Sequence, residues 1–295
     1  MTAMISEQRV HTPESLDEAL QFLAEHHDEG WRPLAGGTDV MVGLYRDRTS
    51  GNRWLNLSRL TSDLGGIRRS GDVIRIGAST TMTQLRCSAL LQETCPIIGR
   101  AAASVGAVQI QNRATVGGNI VNSSPAGDTL PVWLALDAEV ELQSAGGIRR
   151  MPYEQFLQGY RQTALGPDEL LTAVMFQPRN CAESRWYFRK VATRRAQGIS
   201  KLVFAALTDV VDGRLTNVRL AFGSAGPTTV RARAAEQAAQ RAGMSLEAGI
   251  HAAELLAEDL SPIDDHRSTA EYRLRVARNL LREFVACNLG EPMPC

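Results

Sequence analysis

Leu16, Ala19, Leu20 and Leu23 recur at helical spacing, so the chain enters on an amphipathic helix with one buried face. Thr12-Pro13-Glu14 supplies an N-cap hydroxyl, a first-turn proline and an acid near the positive dipole end, which predicts that the helix opens there. Arg32-Pro33-Leu34 reads as a short strand, Val40-Met41-Val42-Gly43-Leu44 continues apolar behind it, and Trp54-Leu55-Asn56-Leu57 is a further strand. Over Ile67 to Gly77, apolar positions alternate around Gly71-Asp72, the pattern of a hairpin. Helices are predicted over 82–88 and 97–106. The segment Thr129 to Leu136 is apolar enough to be buried, as a helix or turn leading into a strand at Glu139-Val140-Glu141-Leu142.

The composition shifts near Pro178-Arg179-Asn180, which marks a boundary. Strands follow by pattern at 186–192, 202–210 and 217–223, with Gly213 in the middle turn, and then helices at 231–243, 246–259 and 269–286. An antiparallel sheet followed by a helical run is the pattern of an α+β domain. No repeat of fixed period is visible.

Length and composition narrow the classes. A chain of 295 residues that is 44% hydrophobic has room for two cores or one large one, and it is neither disordered nor of low complexity. Thirty-two basic and thirty-two acidic residues cancel, so no electrostatic footprint for nucleic acid or an anionic membrane is present. No apolar stretch has membrane-spanning length, and residues 1–12 lack the apolar core of a signal peptide. Cys87, Cys95, Cys181, Cys287 and Cys295 form no C-x-x-C pair and are odd in number, so free thiols in a cytoplasmic setting are expected.

Several familiar chemistries have no residues to carry them. The sequence holds no G-x-G-x-x-G after a strand, no P-loop and no G-x-S-x-G elbow. His11, His26, His27, His251 and His266 show no metal-ligand spacing, so neither a metal site nor a set of catalytic residues is assigned. What remains is a pair of glycine turns with one grammar. Leu34-Ala35-Gly36-Gly37-Thr38-Asp39 and Ala114-Thr115-Val116-Gly117-Gly118-Asn119 each place a hydroxyl and an amide or acid beside two residues that tolerate positive φ. Backbone N–H groups in such turns can converge on an anion, so two of them could clamp the phosphates of a dinucleotide from opposite sides. Ser123-Ser124-Pro125-Ala126-Gly127-Asp128 is a further polar loop, whose carboxylate can accept hydrogen bonds from a ribityl chain or ribose.

With these turns go Gly159-Tyr160-Arg161-Gln162-Thr163-Ala164-Leu165, Glu169-Leu170-Leu171, Arg189-Lys190-Val191-Ala192-Thr193-Arg194-Arg195, Ile199-Ser200-Lys201, and Ile263-Asp264-Asp265-His266-Arg267-Ser268-Thr269-Ala270-Glu271-Tyr272-Arg273. In this order the motifs resemble the FAD-binding subunit of molybdenum hydroxylases, the xanthine dehydrogenase and carbon monoxide dehydrogenase relatives, over nearly the whole chain. The resemblance implies an FAD-binding domain of the vanillyl-alcohol-oxidase type at 1–178, made of two α+β subdomains (about 1–58 and 59–178). A smaller C-terminal α+β domain, an antiparallel sheet plus helices, would follow at 182–290.

It implies that Leu34, Ala35, Gly36, Gly37, Thr38, Asp39 and Val40, with Thr115, Gly118 and Asn119, hold the FAD pyrophosphate. Val105, Gly117, Ser123 and Ser124 join the cofactor-binding set, Asp128 hydrogen-bonds the cofactor, Leu171 makes an apolar contact and Lys190 lies near the flavin. A lysine near the N1–C2 edge would favour the reduced, anionic flavin by charge attraction, and its replacement by methionine tests that. The resemblance also implies partners: a molybdopterin-binding large subunit that oxidises the substrate, and a small subunit with two [2Fe–2S] clusters, in a dimer of heterotrimers. This chain supplies neither the cysteines for the clusters nor a molybdopterin site.

Two departures from relatives matter. Ala196-Gln197-Gly198 stands where the xanthine dehydrogenase branch is acidic, which changes the expected flavin potential and access for NAD as acceptor. No cysteine-rich insertion is present, which disfavours the hydroxybenzoyl-CoA reductase branch. Two other readings stay open on the residues alone: a self-sufficient flavoenzyme of the enolpyruvyl-sugar reductase or alcohol oxidase type, and a flavin-free assembly scaffold. Substrate (purine, other heterocycle or aldehyde-like) and final acceptor (NAD⁺, a quinone, a carrier protein or dioxygen) are not readable from this chain.

Overall fold

The computed structural model describes residues 7–45, 51–179, 184–212, 214–242 and 246–288. The chain opens with β1 (Arg9–His11), α1 (Leu16–His26), β2 (Arg32–Leu34), α2 (Val40–Tyr45) and β3 (Arg53–Asn56). The three strands form a parallel sheet in the order β1-β3-β2, with Val10 opposite Trp54 and Pro33 opposite Leu55. Pro33 is tolerated because β2 is an edge strand with no ladder bond to lose on its outer side. α1 buries Ala19, Leu20 and Leu23 against Leu55, Leu57, Leu60 and Leu64. Its N-cap is Ser15, whose Oγ accepts from the Glu18 N–H at 3.2 Å, and not Thr12. Thr12 Oγ1 instead accepts from Asn56 Nδ2, which ties the entry of the chain to β3.

A short α3 (Thr61–Leu64) leads to the second sheet, built from β4 (Ile67–Ser70), β5 (Val73–Gly77), β6 (Glu139–Ser144), β7 (Gly147–Pro152) and, after the small hairpin β8 (Leu157–Gly159) and β9 (Gln162–Thr163), β10 (Leu170–Phe176). Its order is β4-β5-β10-β6-β7, antiparallel throughout, and all seven residues of β10 at its centre are buried. Gly71 takes a φ of 59° at the expected hairpin turn. Between β5 and β6 lie α4 (Met82–Cys87), α5 (Ala89–Thr94), α6 (Pro96–Ala102), α7 (Val108–Gln111), α8 (Val116–Asn122) and α9 (Leu130–Ala135), while α10 (Tyr153–Phe156) follows β7. The expected helix at 97–106 ends at Ala102, and a separate helix capped by Ser88 intervenes before it.

The third sheet is β11 (Ser184–Ala192), β12 (Ser200–Val211), β13 (Arg214–Gly223) and β14 (Val230–Arg231), in that order and antiparallel. α11 (Arg233–Ala242), α12 (Leu246–Asp259) and α13 (Ala270–Asn288) cover one face. Arg231 therefore belongs to a strand, although the pattern put it in the helix, and Gly213 and the Gly243 end of that helix lie outside the described residues. β12 has two apolar faces. Leu202, Phe204 and Ala206 enter the helical core, where Phe204 stacks on Phe222 with ring centroids 4.5 Å apart. Val203, Ala205 and Leu207 alternate into the core beneath the second sheet, so the two cores share this strand. Cys87, Cys95 and Cys287 are free thiols, while Cys181 and Cys295 lie outside the described residues. Among the described residues no helix is long and apolar enough to cross a membrane.

Candidate functional site

The first glycine turn links β2 to α2. Gly37 sits at φ 72°, the left-handed region, and its carbonyl accepts the Met41 N–H at 2.9 Å, so α2 starts directly from the turn. Among the described residues no acceptor takes the backbone N–H groups of Ala35, Gly36, Gly37, Thr38 or Asp39. Residues 35–39 are half-buried to exposed, so these five amide donors are open to water or to a ligand. Gly36 packs so closely on Arg113 that a Cβ there would lie 1.9 Å from the Arg113 carbonyl oxygen. The absence of a side chain thus brings the first turn against the residue preceding Ala114-Thr115.

The second glycine turn is built differently from the expectation. Thr115 is the N-cap of α8, and its Oγ1 accepts from the Gly118 N–H at 3.1 Å. The Val116 N–H donates to Thr80 O at 2.9 Å, Gly117 to Ala78 O at 2.8 Å and Asn119 to Thr115 O at 3.0 Å. All four amides are spoken for, so this turn is not a second nest of free donors. Gly117 is required by packing: a Cβ there would stand 2.7 Å from Ala78 Cβ. Asn119 Oδ1 accepts from Thr129 Oγ1 at 2.6 Å, which fixes the side chain and orients its Nδ2 group as the remaining donor.

At the far end of α8, Ser123 takes φ 44° as the C-cap and is almost wholly buried. Among the described residues its Oγ has no hydrogen-bond partner. Ser124 closes the following turn by accepting the Gly127 N–H through its carbonyl at 2.8 Å. Asp128 is buried and accepts from Lys190 Nζ and from Ser200 Oγ, both at 2.6 Å. Burial pushes the Asp128 carboxyl up from its ordinary value, and the Lys190 ammonium and Ser200 hydroxyl pull it back. Lys190 also donates to Ser104 O at 2.9 Å, and the Gln197 N–H donates to Gly106 O at 3.0 Å. Those two bonds clasp the Ser104-Val105-Gly106 connection from both sides. Val105 packs against the main core, and Leu171 is buried in β10 at the bulge in its pairing with β6.

The structure thus brings the first turn, α8 and its flanks together, and pairs Asp128 with Lys190. Three residues absent from the expected set belong here. Ser200 completes the hydrogen bonding of Asp128, the Ser224 N–H donates to Pro125 O, and Arg161 Nη1 donates to Asn122 Oδ1 at 3.1 Å while lying 3.7 Å from Asp39 Oδ2. Each bridges more than thirty residues of sequence, so no local pattern could show it. The histidine pair has ordinary partners: His26 Nδ1 meets Glu29 Oε1 at 2.7 Å and His27 Nδ1 meets Ala24 O at 3.1 Å.

A flavin dinucleotide fits these features. The five free amides suit its diphosphate, and the buried, unpartnered Ser123 hydroxyl and the Asn119 amide suit its polar chain. Comparison with known proteins agrees. The FAD binding domain in molybdopterin dehydrogenase matches residues 5–178, and the CO dehydrogenase flavoprotein C-terminal domain matches residues 186–287. The chain is 33% identical to the xanthine dehydrogenase FAD-binding subunit of Escherichia coli O157:H7 over 94% of both chains. It is 31% identical to the caffeine dehydrogenase subunit beta of a Pseudomonas species over 93% of this chain and 92% of that one. A chain of carbon monoxide dehydrogenase from Hydrogenophaga pseudoflava, in a form lacking the Mo-pyranopterin moiety, shares the fold with a TM-score of 0.92 over 97% of this chain and 99% of that one, at 24% identity. The chain belongs to the FAD-binding medium subunits of the molybdopterin hydroxylases, the xanthine dehydrogenase and CO dehydrogenase flavoprotein family. It is an oxidoreductase subunit.

Proposed function

We propose that this chain carries electrons within a three-chain hydroxylase, receiving them from a two-cluster [2Fe–2S] subunit and delivering them to a final acceptor, while a separate molybdopterin subunit oxidises the organic substrate. FAD, when bound, supplies the exchange between one-electron carriers and a two-electron acceptor. The protein's part is to hold and orient it. Ala35 to Asp39 offer amide donors to the diphosphate, Asn119 Nδ2 and the Ser123 hydroxyl offer donors to the sugar-like chain, and Val105 and Leu171 supply apolar surface. Lys190, fixed by Asp128 and Ser104 O, places one ammonium at a set position where it offsets negative charge.

The observation that carries this reading is the row of five amides without partners among the described residues, pressed at Gly36 against Arg113 just ahead of α8. The division of the chain near residue 178, into a cofactor-binding part and a smaller C-terminal part, belongs to the same proposal. So does a dimer of heterotrimers in the cytoplasm. Co-expression with its two partner chains tests the reading. Substrate added anaerobically to the purified complex should bleach the flavin absorbance near 450 nm, on the order of one electron pair per flavin. A complex whose clusters are reduced while the flavin stays oxidised would overturn it. A self-sufficient flavoenzyme would instead turn over a small substrate without partners.

A further inference from the structure

Tyr160 and Arg161 form the two-residue turn between β8 and β9, with Gly159 opposite Gln162. Arg161 holds φ 53°, a left-handed region that glycine enters freely and residues with a Cβ adopt at a cost. A turn that had only to close would take glycine or asparagine there. The side chain explains more than the backbone does. Its guanidinium leaves its own hairpin and reaches Asn122 Oδ1 at 3.1 Å, with Asp39 Oδ2 at 3.7 Å.

One residue therefore spans from the C-terminal end of α8 to the glycine turn of the first sheet. Asp39 is the last of the five residues with unpartnered N–H groups, and Asn122 immediately precedes Ser123 with its buried, unpartnered hydroxyl. Arg161 stands between these two sets of waiting donors. Both charged side chains retain freedom to rearrange, at 45% and 60% exposure for Arg161 and Asp39.

We propose that Arg161 is a diphosphate clasp: on FAD binding its guanidinium exchanges the Asp39 carboxylate for the cofactor's diphosphate, and so selects the dinucleotide over FMN. This rests on the FAD-site reading above. A cation adds to what the amides supply: a diphosphate carries two negative charges, and neutral amides solvate that charge without cancelling it. A guanidinium presents a planar fork of donors that matches two phosphate oxygens at once. Its contact with Asp39 keeps it over the turn until the ligand arrives. No bond is made or broken in the exchange.

The test uses the full chain and two variants. Arg161→Gly removes the guanidinium while relieving the turn, so folding is not at stake; Arg161→Lys keeps the charge and loses the fork. Dissociation constants for FAD and FMN are measured by flavin fluorescence quenching at low and high salt. Arg161→Gly should bind FAD at least about tenfold more weakly, with a flatter salt dependence and FMN binding unchanged, and Arg161→Lys should recover part of the loss. An unchanged FAD constant and salt dependence in Arg161→Gly overturns the clasp while leaving the FAD site standing. Equal weakening of FAD and FMN also overturns it, because that is the mark of a hairpin that only supports the site. If the wild-type chain takes up no FAD, the site reading falls and the clasp falls with it.

Discussion

Gly36→Ala is the sharpest perturbation of the cofactor site. The added methyl would lie 1.9 Å from the Arg113 carbonyl oxygen and 2.6 Å from its carbon, both backbone atoms that no rotamer change can move. An ordinary close C···O contact is about 3.3 Å, so the first glycine turn and the segment before Thr115 must part by roughly 1.4 Å. Overpacking of that kind costs about 1–3 kcal/mol of stability. The displaced segment carries the five free amides, and losing a single hydrogen bond to a charged acceptor costs about 1.5–3 kcal/mol, or roughly tenfold to a hundredfold in dissociation constant. Gly37→Ala is the control. Its nearest neighbour is Leu34 Cδ1 at 3.7 Å, so the space is open, and only the left-handed backbone at φ 72° is strained, by about 1–2 kcal/mol. Urea unfolding gives the stability of each variant, and fluorescence titration gives its FAD affinity. Gly36→Ala should lose at least about tenfold in affinity beyond what Gly37→Ala loses. If Gly36→Ala binds FAD within about threefold of the wild type, the contact of the two segments does not shape the site and the reasoning fails.

Three further outcomes follow from the same geometry. Ser123→Ala removes a buried hydroxyl that has no partner, so the cofactor-free protein should be no less stable in urea, while FAD affinity falls by about fivefold to tenfold; a stability loss with unchanged affinity would show that the hydroxyl serves the fold. Lys190→Met leaves Asp128 buried without its cation and withdraws positive charge from the site, so the flavin potential of the loaded complex should become more negative in a spectroelectrochemical titration, and an unchanged potential would remove the charge argument. Glu169 is held below the ordinary glutamate range by the forked Arg149 pair at 2.6 and 2.7 Å and by the Gly166 N–H. A lowered folded pKa contributes stability above the unfolded pKa and loses it as pH falls through the folded one. The wild type should therefore exceed Glu169→Gln at neutral pH and converge with it in acid, and a gap that persists at low pH would contradict this.

How much of this was readable in advance depended on whether the information was local. The β4–β5 hairpin and the long strands of the third sheet carry alternation and a turn signal, and they stand where the pattern put them. β10 carries neither signal. Its residues Leu170 to Phe176 are apolar almost without interruption because both faces of a central strand are covered, so period two disappears. β7 fails for the opposite reason: as an exposed edge strand it shows Arg149 and Arg150 and has no buried face. The helix start slipped from Thr12 to Ser15 because both offer a capping hydroxyl and only the contact with Asn56 distinguishes them.

The site divides along the same line. Both glycine turns were visible as motifs, yet their sequences do not say whether the amides are free. Ala78 O and Thr80 O, some forty residues upstream, take two of the four donors of the second turn, whereas among the described residues no acceptor takes those of the first. Two turns with one grammar thus do different work: the first presents donors, and the second uses Gly117 to pack α8 onto Ala78. The pairing of Asp128 with Lys190 and the reach of Arg161 to Asp39 are likewise products of topology.

The measurement that bears most directly on the central claim is the stoichiometry of FAD on the purified full-length chain without partners. The account predicts a yellow protein with one FAD per chain, retained through gel filtration. A folded chain that stays colourless after incubation with excess FAD would contradict it.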